Sequence, residues 1–133
     1  MKPPDEIRRE YVLQWQGKAD MDLAAAEYLL SASGFSDIIC FHAQQAAEKY
    51  LKAVLALKGI EIPKTHDLKL LLSLTGLNEA DMGLTSDDLA ELSGYYVEAR
   101  YPADLPVLGT QDAKRSVHVA KKVQVAVLRF CGE

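Results

Sequence analysis

Phe41-His-Ala-Gln-Gln-Ala-Ala-Glu-Lys-Tyr-Leu-Lys-Ala53 is the stretch on which the reading of this chain turns. In a helix each residue advances by about 100°, so His42, Gln45, Lys49 and Lys52 fall within roughly an 80° arc. Ile39, Ala43, Ala46, Tyr50, Ala53, Val54 and Leu57 fill the neighbouring face. Small side chains let other helices approach closely, which predicts the central helix of a bundle. Its polar seam is then expected at the edge of a core, in a groove or at a subunit interface. Ser36 is expected to cap this helix, with Asp37 in the first turn, and Gly59 to end it just past Lys58.

Upstream, Tyr11, Trp15, Ala19, Leu23, Ala26 and Leu30 recur at steps of three and four, predicting a first helix from about Arg8 to Ser31, with Gly34 as its stop. Downstream, Pro63 disfavours helical geometry at Ile62, so Ile60 to Lys64 reads as a loop. A short third helix follows Thr65 and stops at Gly76, carrying Leu68, Leu71 and Leu72. Thr85 and Asp88 form a capping-box pattern opening a fourth helix to about Arg100, where Tyr101-Pro102 ends it. Thr110 is expected to cap the last helix, about Gln111 to Phe130, with Val119, Val123, Ala126 and Phe130 as one apolar stripe. No period-two alternation bounded by a hairpin turn occurs. The expected fold is all-α: an antiparallel up-and-down bundle of four long helices and one short one, in a single domain spanning 1–133.

With 49% apolar and 26% charged residues, the 133-residue chain has average soluble composition and enough length to bury a core without disulfide or metal staples. The longest apolar run, Ala53 to Leu57, is five residues, far short of the roughly 20 that a membrane span needs. The N-terminus lacks the apolar stretch of a secretory signal, so a cytoplasmic location is expected, with Cys40 and Cys131 as reduced thiols. A formal charge of −4 argues against nonspecific nucleic-acid binding through net charge alone. That charge is divided. Gly76 to Ala99 holds Glu79, Asp81, Asp87, Asp88, Glu91 and Glu98 and no basic residue, whereas Ala113 to Arg129 holds no acidic one.

Four groups of residues carry chemistry. The first is the seam of His42, Gln45, Lys49 and Lys52, which either meets a ligand or, with Lys49 and Lys52 reaching solvent over their aliphatic stems, leaves His42 and Gln45 to satisfy buried partners. In Tyr95-Tyr96-Val-Glu98-Ala-Arg100-Tyr101-Pro102, the arginine offers a planar fork for phosphate and the tyrosines offer rings for stacking. The same residues also suit an ordinary helix end. In Pro63-Lys64-Thr65-His66-Asp67, His66 and Asp67 are either an acid/base pair or, more simply, Thr65 or Asp67 is a cap. On the last helix Arg115, His118, Lys122 and Arg129 share an arc of roughly 60°, flanked by Lys114 and Lys121. That stripe suits phosphates, an acidic partner or a solvated face. No glycine-rich phosphate loop, zinc-ligand spacing or nucleophile elbow occurs, so neither a metal nor a cofactor is expected.

Trp15-x-x-Lys18-Ala19-x-x-Asp22-Leu23-x-x-Ala26, the 41–53 stretch, Lys64-Thr65-His66-Asp67-Leu68 and Ala99-Arg100-Tyr101-Pro102, in this order, resemble the HEPN family, the higher eukaryotes and prokaryotes nucleotide-binding domain. The resemblance extends from about Trp15 to the last helix. It implies a five-helix bundle that is usually dimeric and often paired with a minimal nucleotidyltransferase in toxin–antitoxin modules. RNase members carry Arg, four to six residues, then His, with one composite site built from two copies. This chain departs from that pattern. Its arginines are Arg8, Arg9, Arg100, Arg115 and Arg129, and the nearest downstream histidine is His118, with two residues between it and Arg115. Metal-independent RNA cleavage needs a proton-transfer group beside a cation. Arg100 can supply the cation, but Tyr101, with an ordinary pKa of about 10, is a poor base at neutral pH.

The resemblance and the missing pair together lead to the expectation of a dimeric module that binds a nucleotide, a nucleotidyltransferase-type partner, or both, and leans away from enzymatic activity. Candidate nucleotide-binding residues are Arg100, Tyr101, His42, Gln45, Lys49, Lys64 and His66. Arg115, His118, Lys122 and Arg129 form a candidate basic surface. The alternatives are an RNase toxin with a degenerate site and a purely structural dimerisation module.

Overall fold

The computed structural model describes residues 2–96 and 107–132. All regular structure among them is helical: α1 (Pro4–Leu29), α2 (Ser36–Lys58), α3 (Leu68–Thr75), α4 (Ser86–Ser93) and α5 (Thr110–Phe130), with a 3-10 turn at Ala80–Met82 between α3 and α4. The all-α expectation holds.

Several boundaries differ from those expected, each for a local reason. α1 begins before Arg8 because Pro4, with its preset φ, occupies the first turn, and Asp5 and Glu6 complement the positive helix end. Ser36 and Thr110 are the first helical residues rather than caps. Phe35 holds the cap position of α2, with no side-chain cap, and Gly109 that of α5, where the Asp112 carboxylate accepts the Gly109 N–H at 2.8 Å. Asp67 caps α3 by accepting from the backbone N–H of Lys69 and Leu70. The Thr85–Asp88 capping box forms, but α4 closes at Ser93 rather than near Arg100, so that two short helices stand beside three long ones among the described residues. The expected stretch from 97 to 106 lies outside the described residues.

α1 and α2 run antiparallel, since Asp22 meets His42 and Lys49 while Arg8 lies beside Gly59. Gly59 turns the chain out of α2 with φ of +69°, a left-handed geometry that glycine adopts without steric cost. α5 runs beside α2 in the same sense: Ser116 meets Cys40, Gln124 meets Tyr50, and the Lys58 ammonium lies over the Phe130 ring. Between these flanks Cys40, Ala43, Ala46, Ala47, Tyr50, Leu51, Ala53, Val54 and Leu55 are fully buried, which makes α2 the central helix. Onto it pack Val12, Ala19, Leu23 and Ala26 of α1, Leu68 and Leu71 of α3, Leu89 and Leu92 of α4, and Val123 and Val127 of α5. Each large apolar side chain buried this way contributes about 1.5–3 kcal/mol of transfer free energy. Tyr11 and Phe130, expected in the apolar stripes, instead sit exposed near helix ends.

Both cysteines are buried and unbridged, and burial pushes the Cys40 thiol up. No helix among the described residues is long and apolar enough to cross a membrane.

Candidate functional site

The polar face of α2 is built around two carboxylates. Asp22, on α1, accepts from His42 Nδ1 at 2.9 Å with one oxygen and from Lys49 Nζ at 2.6 Å with the other. His42 and Lys49 are about two turns apart, so one side chain from the neighbouring helix reaches both. Glu48, on α2 itself and only 5% exposed, accepts from His66 Nδ1 at 2.8 Å and from Lys52 Nζ at 3.0 Å, one turn further on. Lys52, expected to reach solvent, is instead almost as deeply buried, drawn in by Glu48, and its ammonium lies 5.6 Å from the centroid of the Trp15 ring. A buried carboxylate is tolerated only when paired in this way. Because an ionised carboxylate only accepts, each imidazole donates from Nδ1, and among the described residues Nε2 has no hydrogen-bond partner.

Two glutamines extend the network. Gln44, fully buried, donates to the His66 carbonyl oxygen at 3.1 Å, and Gln45 donates to Gln44 Oε1 at 2.7 Å. The loop before α3 is thus fastened to α2 by both the backbone and the ring of His66. That ring stacks on Tyr96, with centroids 3.5 Å apart and planes inclined by 11°, and Phe41 lies 6.3 Å from Tyr96. The result is a small aromatic platform at the edge of the bundle, with the His66 side chain 39% exposed.

His42, Gln45, Lys49 and His66, picked out from the sequence, therefore gather on one face through shared partners. Lys64 does not join them and is exposed, with no partner among the described residues. Arg100 and Tyr101 lie outside the described residues, shortly beyond Tyr96 in the chain. Of the organising groups, Tyr96 is a stacking ring the sequence already offers, whereas Asp22, Gln44 and Glu48 are not legible as site residues. Asp22 and Tyr96 reach the face only through the packing of other segments against α2, which no spacing within one helix reveals. Glu48 and Lys52 at i and i+4 were a visible ion-pair spacing. Of the two readings of His66-Asp67, capping is the one observed: Asp67 caps α3, and the carboxylate partner of His66 is Glu48.

The basic stripe of α5 divides. Arg115 donates to Glu91 at 2.8 Å, and the same carboxylate oxygen accepts from the Tyr95 hydroxyl at 3.0 Å. Burial, and then Glu91, push the Tyr95 phenol up. His118, Lys122 and Arg129 instead line a surface cleft of about 430 Å³, with Lys121, Val125 and Ala126 beside them and Asp81 and Met82 on the opposite wall. A larger cleft, of about 930 Å³, lies between the start of α1 and the end of α2 and contains none of the candidate residues. Among the described residues no cluster of three His, Cys, Asp or Glu side chains is placed to hold a metal ion.

Comparison with known proteins gives one family model, described as HEPN domain, which matches residues 12–129. Among solved structures, the crystal structure of ST0689, an archaeal HEPN homologue, is 29% identical with a TM-score of 0.71, over 88% of this chain and 94% of that one. The crystal structure of TT1696 from Thermus thermophilus is 28% identical with a TM-score of 0.71, over 89% of this chain and 96% of that one. The curated proteins give no match.

Proposed function

The chain belongs to the HEPN domain family, and on that premise we propose that it is a non-catalytic, homodimeric binding module that takes a nucleotide on the polar face of α2 and pairs with a minimal nucleotidyltransferase, in the manner of a toxin–antitoxin module. The observation that supports binding over catalysis is the disposition of the seam's charges. Lys49 and Lys52 are closed on Asp22 and Glu48, and the same carboxylates hold the His42 and His66 rings, so neither lysine is a free cation poised for a reacting phosphate. What the face offers a ligand is flat and polar: the stacked His66 and Tyr96 rings for a base, and the remaining amide valences of Gln45 for its edge. Arg100 and Tyr101, close by in sequence, are the candidates for the phosphate and sugar.

Calorimetric titration with ATP, GTP and short RNA tests the ligand half. At least one is expected to bind, with Tyr96→Ala and Arg100→Ala each lowering affinity about tenfold or more, the size of one lost stacking or bidentate contact. Absence of binding to all three overturns it. Capture of a nucleotidyltransferase encoded beside this gene tests the partner half, and failure of two co-expressed, purified proteins to associate removes that half.

One observation favours a second reading, an RNase with an unconventional base. Each imidazole has its Nδ1 oriented by a carboxylate and its Nε2 without a partner among the described residues, the arrangement that prepares histidine for proton transfer. Cleavage of total RNA by the pure protein, abolished by His42→Ala or His66→Ala and by Arg100→Ala, would replace the binding reading with this one.

A further inference from the structure

Lys49 and Lys52 of α2 are paired with carboxylates inside the fold, while Lys122 and Arg129 in the second half of α5 are not. His118 and Arg129 have no hydrogen-bond or ion-pair partner among the described residues. Lys122 Nζ reaches only the Gly83 carbonyl oxygen, at 3.4 Å. The Lys121–Glu27 contact, also 3.4 Å and between half-exposed side chains, is worth little in water. Gly83 shapes this arrangement, because its φ is +70° and a Cβ there would come within 3.2 Å of Lys122 Nζ, so the glycine lets the ammonium lie across the turn. His118, Lys122 and Arg129 follow one helix face, with Val125 between the last two, and His118 and Lys122 are separated by a rise of about 6 Å. Among the described residues a single carboxylate, that of Asp81, faces them across the cleft.

We propose that this cleft is a binding site for a run of phosphates, carried either by a nucleoside polyphosphate or by an RNA backbone. Three points support phosphate. Lys122 and Arg129 outnumber the one carboxylate that faces them among the described residues, and they sit in a concavity of about 430 Å³, within the size range of small-ligand sites. The chain as a whole carries a net charge of −4, so these cations stand out as a local positive patch on an acidic molecule. The negative end of the α5 dipole, at Arg129, opposes an anion, so the phosphates are placed toward His118 and Lys122 with Arg129 closing the end. Asp81 is then the acceptor for a sugar hydroxyl or base amine. This site is separate from the α2 face and stands or falls apart from it.

The test is fluorescence anisotropy with a labelled oligouridylate at low salt, with ATP, inorganic tripolyphosphate and polyglutamate as competitors. The oligonucleotide is expected to bind with a logarithmic salt slope of about −2, the value for three phosphate contacts on a single strand. Arg129→Glu and Lys122→Ala are each expected to weaken binding about tenfold or more while leaving the circular dichroism unchanged, and Lys18→Ala, at an exposed position of α1, to leave binding unaffected. Competition by tripolyphosphate and ATP identifies a nucleoside polyphosphate as the source, and competition by unlabelled RNA alone identifies the RNA backbone. Absence of binding to RNA, ATP and tripolyphosphate overturns the site, as does binding indifferent to Arg129→Glu. Polyglutamate competing as well as tripolyphosphate overturns the phosphate assignment in favour of an acidic protein surface. Should Lys122→Ala fail to fold, the exposed Arg129→Glu alone decides.

Discussion

Tyr50 is fully buried, yet its hydroxyl is doubly used: it donates to Asp20 and accepts from Gln124 at 2.8 Å, joining α1, α2 and α5. Burial, and then the Asp20 carboxylate, push its phenol well above the ordinary tyrosine value. A group whose pKa is raised by folding stabilises the fold below its unfolded pKa, about 10, and loses that contribution as pH rises beyond it. Tyr50→Phe is therefore expected to cost about 1–2 kcal/mol at neutral pH, read from urea unfolding, and to make the alkaline loss of stability above pH about 10 shallower than in the wild type. Glu48 carries higher stakes. Glu48→Ala leaves Lys52 buried without its carboxylate and is expected to cost about 3–5 kcal/mol in the same measurement, whereas a change within about 1 kcal/mol would show that water replaces the pair. At this scale the sequence was half legible. The arc of His42 and Lys49 follows from helical spacing alone, but the acid that binds both comes from α1, and no periodicity within α2 reveals it.

Among the elements, α2 was the most legible because its small side chains state their own constraint. Ala46 is enclosed by neighbouring side chains on every side and has no contact with water, so Ala46→Leu has no free volume to occupy. It is expected to destabilise by about 1–3 kcal/mol or more, with thermal unfolding shifted down, while a neutral outcome would mean the flanking helices are free to separate. Caps were legible by type but not always by position. Asp67 and the Thr85–Asp88 box were visible because their side chains reach backbone N–H groups two or three residues away. Ser36 and Thr110 have suitable side chains, yet the helices begin with them, the one-residue ambiguity inherent in helix ends. The end of α4 was misjudged because Leu89 and Leu92 set a helical period that Tyr95 and Tyr96 continue on paper. In the molecule Gly94 closes the helix, and Tyr96 serves the His66 stack instead.

For the molecule as a whole, composition and period disclosed the fold class, and charge segregation disclosed where cations collect, but the partition of those cations into neutralised and free groups required the packed structure. The acidic half is tied down in the same way: the Lys69 ammonium, and then a backbone hydrogen bond, hold the Glu79 carboxyl below its ordinary range. A carboxyl lowered by folding stabilises above its unfolded pKa, about 4.3, and the contribution is lost as pH falls through the folded value. Glu79→Gln is expected to flatten the acid limb of the stability profile below pH about 4.3 and to leave its alkaline limb untouched. The shared direction of α2 and α5 has a consequence for synthesis. A hairpin cannot deliver a helix that runs alongside its partner in the same sense, so α5 docks only after the chain between residues 59 and 109 has travelled back along the bundle. As the chain leaves the ribosome, the α1–α2 pair emerges first, with the far side of α2 uncovered. Until the 21 residues of α5 are released, that bare alanine and leucine surface is a natural chaperone client.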